Sequence, residues 1–200
     1  MNKLIVLGAS GHGKVIADIA VNVGYTDIVF LDDDINIKEC SGFPVVGKTS
    51  LAKSMAGDKI IAIGNASVRK SIHRDIKLIS LIHPNAVIGR NVEIGEGSVV
   101  MAGAVVNPDT KIGKGCIINT ASSVDHDCVV GNYSHIAVGA HLCGTVDVGD
   151  CCWIGAGAVV SNNITIESCV TIGAGAVVIR DVPAKCTVVG NPAKPISFFE

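Results

Sequence analysis

Aromatic residues make up only 4% of this 200-residue chain and charged residues only 17%. A core built mainly from rings is therefore excluded, and so is a strongly charged, disordered composition. The formal charge of -2 gives no electrostatic reason for a nucleic acid or an anionic membrane to bind. No apolar run of eighteen residues occurs, and the opening MNKLIVLGASGHG has neither the long apolar stretch nor the small-residue cleavage site of a signal peptide. A cytoplasmic protein is expected. Eight cysteines are present, yet no CxxC pair and no secretory context. Reduced, packed thiols are expected, with no metal.

Glycine is abundant at 23 residues, and the apolar content is mostly Val, Ile and Ala, as stacked thin strands with tight corners require. Stepping by six from Ile88 reaches Ile94, Val100, Val106, Ile112, Ile118, Val124, Val130, Ile136, Leu142, Val148, Ile154, Val160, Ile166, Ile172 and Val178, all of them aliphatic. Gly follows the aliphatic residue at 89, 95, 113, 131, 149, 155 and 173, and the register four beyond it carries small residues, Cys116, Cys128 and Cys152 among them. These are hexapeptide repeats. Three hexads close a triangular coil of about eighteen residues, so the chain from 81 to 200 is read as a parallel β-helix of roughly five coils.

Residues 1 to 80 follow a different period. KLIVLG reads as a buried strand, GKVIADIAVNVG as an amphipathic helix and DIVFLDDD as a second strand ending in acids. VVGKTSLAKSM is expected to form a turn and helix, DKIIAIGN a strand, ASVRKSIHRDI a helix and KLISLI a strand. This is a small Rossmann-like α/β domain. Gly8, Gly11 and Gly13 fall where the first strand turns into the first helix, which aims backbone N–H groups at an anionic ligand. Their spacing is GxxGxG and not GxGxxG, so the dinucleotide fingerprint is not met, and a mononucleotide or nucleotide-sugar is the alternative. Asp32 and Asp33 close the second strand, where an acid can bind sugar hydroxyls, and Gly64 lies at the same carboxyl edge of the sheet. A solvated acidic turn and a plain turn glycine are the bland alternatives.

On the solenoid, His126 lies in VDHDC between Asp125 and Asp127, carboxylates that would orient the imidazole and raise its basicity. An exposed polar turn is the alternative. The eighteen-residue period stacks His126 beneath Gly144, about 4.8 Å away, where a Gly144 N–H would face the oxyanion of an acyl transfer. His135 is nine residues from His126, half a coil away, so the two meet in one site only across neighbouring subunits of a cyclic trimer.

GASGHGKV, FLDDD, AIGN, LIHPNAVIG, VDHDC, YSHIAVGA and VVGNPAKPI, in this order, resemble the bacterial sugar O- and N-acyltransferases of the sialic acid O-acetyltransferase type. Within these the chain most resembles the bacillosamine-pathway nucleotide-sugar N-acetyltransferases. The resemblance implies a left-handed β-helix and acetyl transfer from acetyl-CoA to a sugar amine or hydroxyl on a homotrimer. It implies His126 as base assisted by Asp127, with Gly144 facing the oxyanion. It implies an acetyl-CoA groove lined by His135, Ala156 and Ala174. It implies Ser10, Gly11, His12, Asp32, Asp33 and Gly64 as holders of the nucleotide-sugar. Relatives often carry Glu after the base where this chain has Asp127, and Asp125 is an alternative helper. Rival readings are a sialic acid O-acetyltransferase, a zinc hydratase of the γ-carbonic anhydrase kind using His126, His135 and His141, and a nucleotide-sugar sensor without catalysis.

Overall fold

The computed structural model describes residues 3–199. It divides into two compact units, Met1–Pro84 and Asn85–Glu200.

In the first unit, β1 (Lys3–Leu7) is apolar enough to be buried on both faces, and Leu4, Ile5, Val6 and Leu7 are fully buried. The chain leaves it through Gly8 into α1 (Gly11–Asn22) and returns as β2 (Asp27–Leu31), which pairs parallel with β1. A short antiparallel hairpin, β3 (Glu39–Cys40) and β4 (Phe43–Gly47), follows, then a 3-10 turn over Thr49–Lys53 and β5 (Asp58–Ile61), parallel to the other side of β1. The sheet order is β3-β4-β2-β1-β5, and α2 (Ala66–His73) comes after β5.

Two segments differ from the sequence expectation. VVGKTSLAKSM was expected as turn plus helix, but its first residues form β4, which pairs with the edge of β2, and only a single 3-10 turn follows. The Asp33 carboxylate accepts hydrogen bonds from the N–H and hydroxyl of Thr49, and this fixes where that turn starts. KLISLI is extended over Leu81–Ile82 alone, while Leu78 is buried in the core of the first unit.

The second unit is a parallel β-solenoid of two-residue strands in three sheets. One runs from Val87–Ile88 to Val177–Val178 in six strands, and another from Glu93–Ile94 to Thr165–Ile166 in five. The third runs upward through Val99–Val100, His135–Ile136 and Trp153–Ile154. It closes on the strand Cys186–Val189 and an antiparallel strand Lys194–Phe198. Every pairing between the two-residue strands is offset by eighteen residues, as in Ser123↔His141 and Val124↔Leu142, whereas the closing pair Thr171↔Thr187 is offset by sixteen. The aliphatic register therefore stacks on itself: Val106, Val124, Leu142, Val160 and Val178 are all at most 1% exposed. Truncating one such side chain, Ile136→Ala for example, costs about 2–5 kcal/mol through lost burial and an unfilled cavity.

Three devices turn the corners. The residue three beyond the aliphatic one adopts positive φ, as at Asp109, Ala121, Asp127, Tyr133 and Thr145. The glycine just after the aliphatic residue has no room for a side chain, since a Cβ on Gly131 would lie 2.5 Å from the carbonyl carbon of Gly149 in the next coil. The small register donates hydrogen bonds to a carbonyl fifteen residues on: Ser98 to Gly113, Thr110 to Asp125, Ser134 to Gly149, and through their thiols Cys116 to Gly131, Cys128 to Cys143 and Cys152 to Glu167. Those cysteines form no disulfide and are buried, and burial pushes the Cys152 thiol up to about 11. All three pack and hydrogen-bond as a serine would, and burial raises the Cys128 and Cys152 thiols, leaving little thiolate there to react.

Candidate active site

His126 sits on a corner of the solenoid, just after the strand Ser123–Val124, with its side chain exposed. Its backbone is held from both sides. The Thr145 N–H donates to the His126 carbonyl at 2.9 Å, and the His126 N–H donates to Asp125 Oδ1 at 2.9 Å. Nδ1 of the ring lies 2.7 Å from Asp127 Oδ2. A carboxylate there fixes the proton on Nδ1 and leaves Nε2 as the basic nitrogen. The positive φ of Asp127 is the corner geometry itself, so the turn of the solenoid also brings this carboxylate back to the ring.

The two flanking acids do different work. Asp125 is occupied: its Oδ1 accepts from Asn107 Nδ2 at 2.7 Å, one coil below, as well as from the His126 N–H. These bonds hold its carboxyl below the usual range. The imidazole of His126 is in turn held above its ordinary value, first by the hydrogen bond to Asp127 and then by the charge of Asp125.

Nε2 is turned toward Gly144, one coil further along. A Cβ at Gly144 would lie 2.6 Å from both Nε2 and Cε1 of His126, and 3.3 Å from Nδ2 of Asn162. The ring occupies the space that any other residue at 144 would fill. The Gly144 carbonyl accepts from the Asn163 N–H. No hydrogen bond from the Gly144 N–H is found among the described residues. A basic nitrogen beside a backbone N–H that makes no hydrogen bond among the described residues is the pairing that acyl transfer uses.

His135 is buried, on the strand His135–Ile136. Its Nε2 lies 3.0 Å from Asn119 Nδ2, and its ring packs edge-on against Trp153 with centroids 4.4 Å apart. Ala156 and Ala174 are exposed and stack eighteen residues apart on one corner, where the Gly175 N–H donates to the Ala156 carbonyl. His141 pairs with the Ser123 hydroxyl at 2.8 Å, so His126, His135 and His141 each hold a different partner. Among the described residues no group of three or more His, Cys, Asp or Glu is placed to hold a metal. No helix there is long and apolar enough to cross a membrane.

In the first unit, Gly8 and Gly13 are required by packing: a Cβ on Gly8 would lie 2.8 Å from the Ala62 carbonyl oxygen, and one on Gly13 would strike the Gly8 carbonyl. Gly11 and Gly64 face open space and are exposed, so the fold itself does not demand glycine there. Ser10 is the N-cap residue of α1 and makes no side-chain capping bond. Asp32 shapes the glycine loop, with Oδ2 accepting from the Ala9 N–H at 2.7 Å and Oδ1 from the Asp34 N–H. Asp33 is committed to Thr49. Arg69, a charged residue that no sequence pattern places inside, is only 2% exposed and donates to the carbonyls of Ile63 and Gly64. Burial first, and the charge of Arg69 second, push His12 down to about 4, so its imidazole is neutral, and Nε2 is a buried atom without a hydrogen-bond partner. Asn107, Asn119 and Asn162 were likewise not singled out from sequence. Eighteen-residue stacking onto Asp125 and Gly144 was the available signal for the first and the last.

Residues 3–76 match the PglD N-terminal domain family, and residues 80–108 the bacterial transferase hexapeptide family. The UDP-N-acetylbacillosamine N-acetyltransferase of Bacillus subtilis (strain 168) is 37% identical over 113 residues, which is 51% of this chain and 52% of that protein. The match thus spans about half the length of that curated relative. Among solved structures, the acetyltransferase domain of PglB from Neisseria gonorrhoeae FA1090 is 45% identical with a TM-score of 0.95, covering 98% of this chain and 100% of that one. The same domain in complex with acetyl coenzyme A superposes with a TM-score of 0.94. PerB from Caulobacter crescentus, in complex with CoA and GDP-perosamine, is 35% identical with a TM-score of 0.92 over 98% of each chain. Identity and superposition at these levels extend through both units, and the chain belongs to the bacterial hexapeptide-repeat sugar acyltransferases, among the acetyl-CoA-dependent nucleotide-sugar N-acetyltransferases.

Proposed function

We propose that this chain transfers the acetyl group of acetyl-CoA to the amine of a nucleotide-activated amino sugar, a UDP-linked 4-amino sugar in bacterial glycan biosynthesis. The observation that carries the reading is the His126 ring, held by Asp127 on one side and turned onto Gly144 on the other. His126 takes a proton from the sugar amine as the amine nitrogen bonds to the thioester carbon. The Gly144 N–H donates to the oxygen on which negative charge develops, and the CoA thiolate then leaves. Asp127 is the helper, since Asp125 is engaged by Asn107.

His135, Ala156 and Ala174 line the acetyl-CoA groove, a placement supported by the exposure of the two small alanines on one corner. Ser10, Gly11, His12, Asp32, Asp33 and Gly64 hold the nucleotide-sugar. The open space at Gly11 and Gly64 and the unpaired Nε2 of His12 support that placement. UDP is favoured by the B. subtilis relative named for a UDP-linked sugar, against the GDP-sugar bound by PerB. The active assembly is a cytoplasmic homotrimer in which His126 of one protomer meets the acetyl-CoA groove of its neighbour.

CoA release measured against UDP- and GDP-linked amino sugars and sialic acids tests the reading. Turnover is expected with a UDP-linked 4-amino sugar and is expected to fall about 10²- to 10⁴-fold in His126→Ala. Turnover with sialic acid alone, or an undiminished His126→Ala, overturns it.

A further inference from the structure

Resting on that acetyl-transfer reading, the geometry points to Asn162 as a second donor to the reacting oxygen: we infer that its carboxamide completes, with the Gly144 N–H, a two-point oxyanion site. The period places this residue one coil beyond Gly144 but does not show where its side chain turns. Its place follows from what surrounds the absent Cβ of Gly144.

That one point lies 2.6 Å from His126 Nε2 and 3.3 Å from Asn162 Nδ2. His126, Gly144 and Asn162 are successive members of one corner column, each eighteen residues from the next. The coils are locked in that order by the Thr145 N–H bonding the His126 carbonyl and the Asn163 N–H bonding the Gly144 carbonyl. The basic nitrogen and the carboxamide therefore approach Gly144 from opposite sides. Other asparagines beside the site are spent: Asn107 on Asp125 and Asn119 on His135. The exposed Asn162 carboxamide makes no hydrogen bond among the described residues, so both its N–H donors are available to a substrate.

The chemistry gives such a donor a use. The amine nitrogen forms its bond to the thioester carbon on the His126 side, and the carbonyl π pair moves onto oxygen. That oxygen then carries a full negative charge above Gly144, on the Asn162 side of the reacting carbon. When the pair returns, the carbon–sulfur bond breaks, the thiolate leaves with its electrons, and the proton held by His126 is available to the sulfur. Atoms and charge balance with amine, thioester, amide and thiol alone. A donor that meets the oxygen only once it is charged lowers the barrier without tightening ground-state binding.

Steady-state CoA release by wild type, Asn162→Ala, Asn162→Asp and His126→Ala, each checked for an unchanged melting temperature, tests this. Removing one oxyanion donor costs about 10²- to 10³-fold in turnover where it acts alone. With the Gly144 N–H retained, Asn162→Ala is expected to lose about 10- to 100-fold in kcat, with KM for acetyl-CoA within about twofold and the acid limb of the pH profile unmoved. Asn162→Asp, which sets a carboxylate against the developing charge, is expected to lose more and to move the acid limb to higher pH. Wild-type kcat in Asn162→Ala beside a crippled His126→Ala overturns this inference and spares the acetyl-transfer reading. Loss accompanied by a shifted acid limb in Asn162→Ala overturns it too, by showing that the residue acts through His126. A wild-type chain that releases no CoA overturns the reading and this inference together.

Discussion

The imidazole of His126 fills the place where a side chain at Gly144 would begin, with Nε2 and Cε1 each 2.6 Å from that point. Gly144 has no positive φ to maintain, so the requirement for glycine comes from its neighbours, above all the His126 ring, with Asn162 Nδ2 3.3 Å away on the other side. Gly144→Ala is expected to displace the imidazole and lower kcat by at least about 10²-fold while the melting temperature stays within a few degrees, since the clash is with an exposed side chain. Parallel measurement of CoA release and thermal unfolding checks it.

The bond between His126 Nδ1 and Asp127 sets the pH dependence. The base must be neutral to act, and its value is raised, so activity climbs with pH through a midpoint above the ordinary 6.5. Asp127→Asn removes the largest cause of that elevation. Its acid limb should move to lower pH while its plateau falls about tenfold or more, because the ring loses its orientation. An unmoved limb in a kcat–pH profile would contradict this assignment.

His12 carries a stability consequence of opposite sign. Its folded value, about 4, lies below the unfolded 6.5, so its contribution is fully present above pH 6.5 and is lost as pH falls from 6.5 toward 4. The full span is worth about 3 kcal/mol at 1.36 kcal/mol per pH unit. His12→Gln should flatten the denaturant stability of the chain across that window, whereas parallel decline in variant and wild type would show the group to be solvated.

Two glycines with the same one-letter code should behave differently. Gly131→Ala places a methyl 2.5 Å from the next coil's backbone, an overpacking expected to cost about 1–3 kcal/mol and several degrees of melting temperature. Gly11→Ala meets nothing within 4 Å and should leave the melting temperature unchanged or slightly raised, while KM for the nucleotide-sugar increases. Differential scanning fluorimetry and substrate titration on the two variants separate packing glycines from ligand-facing ones.

Much of the site was legible because the solenoid is nearly one-dimensional. A period of six fixes which residues stack, so His126 under Gly144 could be placed by counting, and Val124, Leu142 and Val160 could be assigned to one buried column. The first unit gave less. Its β1-α1-β2 start was visible in the apolar runs, but the β3–β4 hairpin was not, because FPVVG alternates half-buried and exposed residues beside the two-residue edge strand β3 and reads as a turn until Phe30 and Leu31 are there to pair with it.

The sequence by itself determined the repeat, the corner glycines, the stacking order of His126, Gly144 and Asn162, and the acids beside the base, because each is a matter of spacing along a regular coil. Only the tertiary structure decided which acid holds the imidazole, that Asp33 serves Thr49, that Arg69 is buried beside a neutral His12, and that the Asn162 carboxamide turns onto Gly144. Those outcomes depend on side-chain directions, and a period fixes where a residue stands on the coil but leaves its rotamer to be settled by its neighbours.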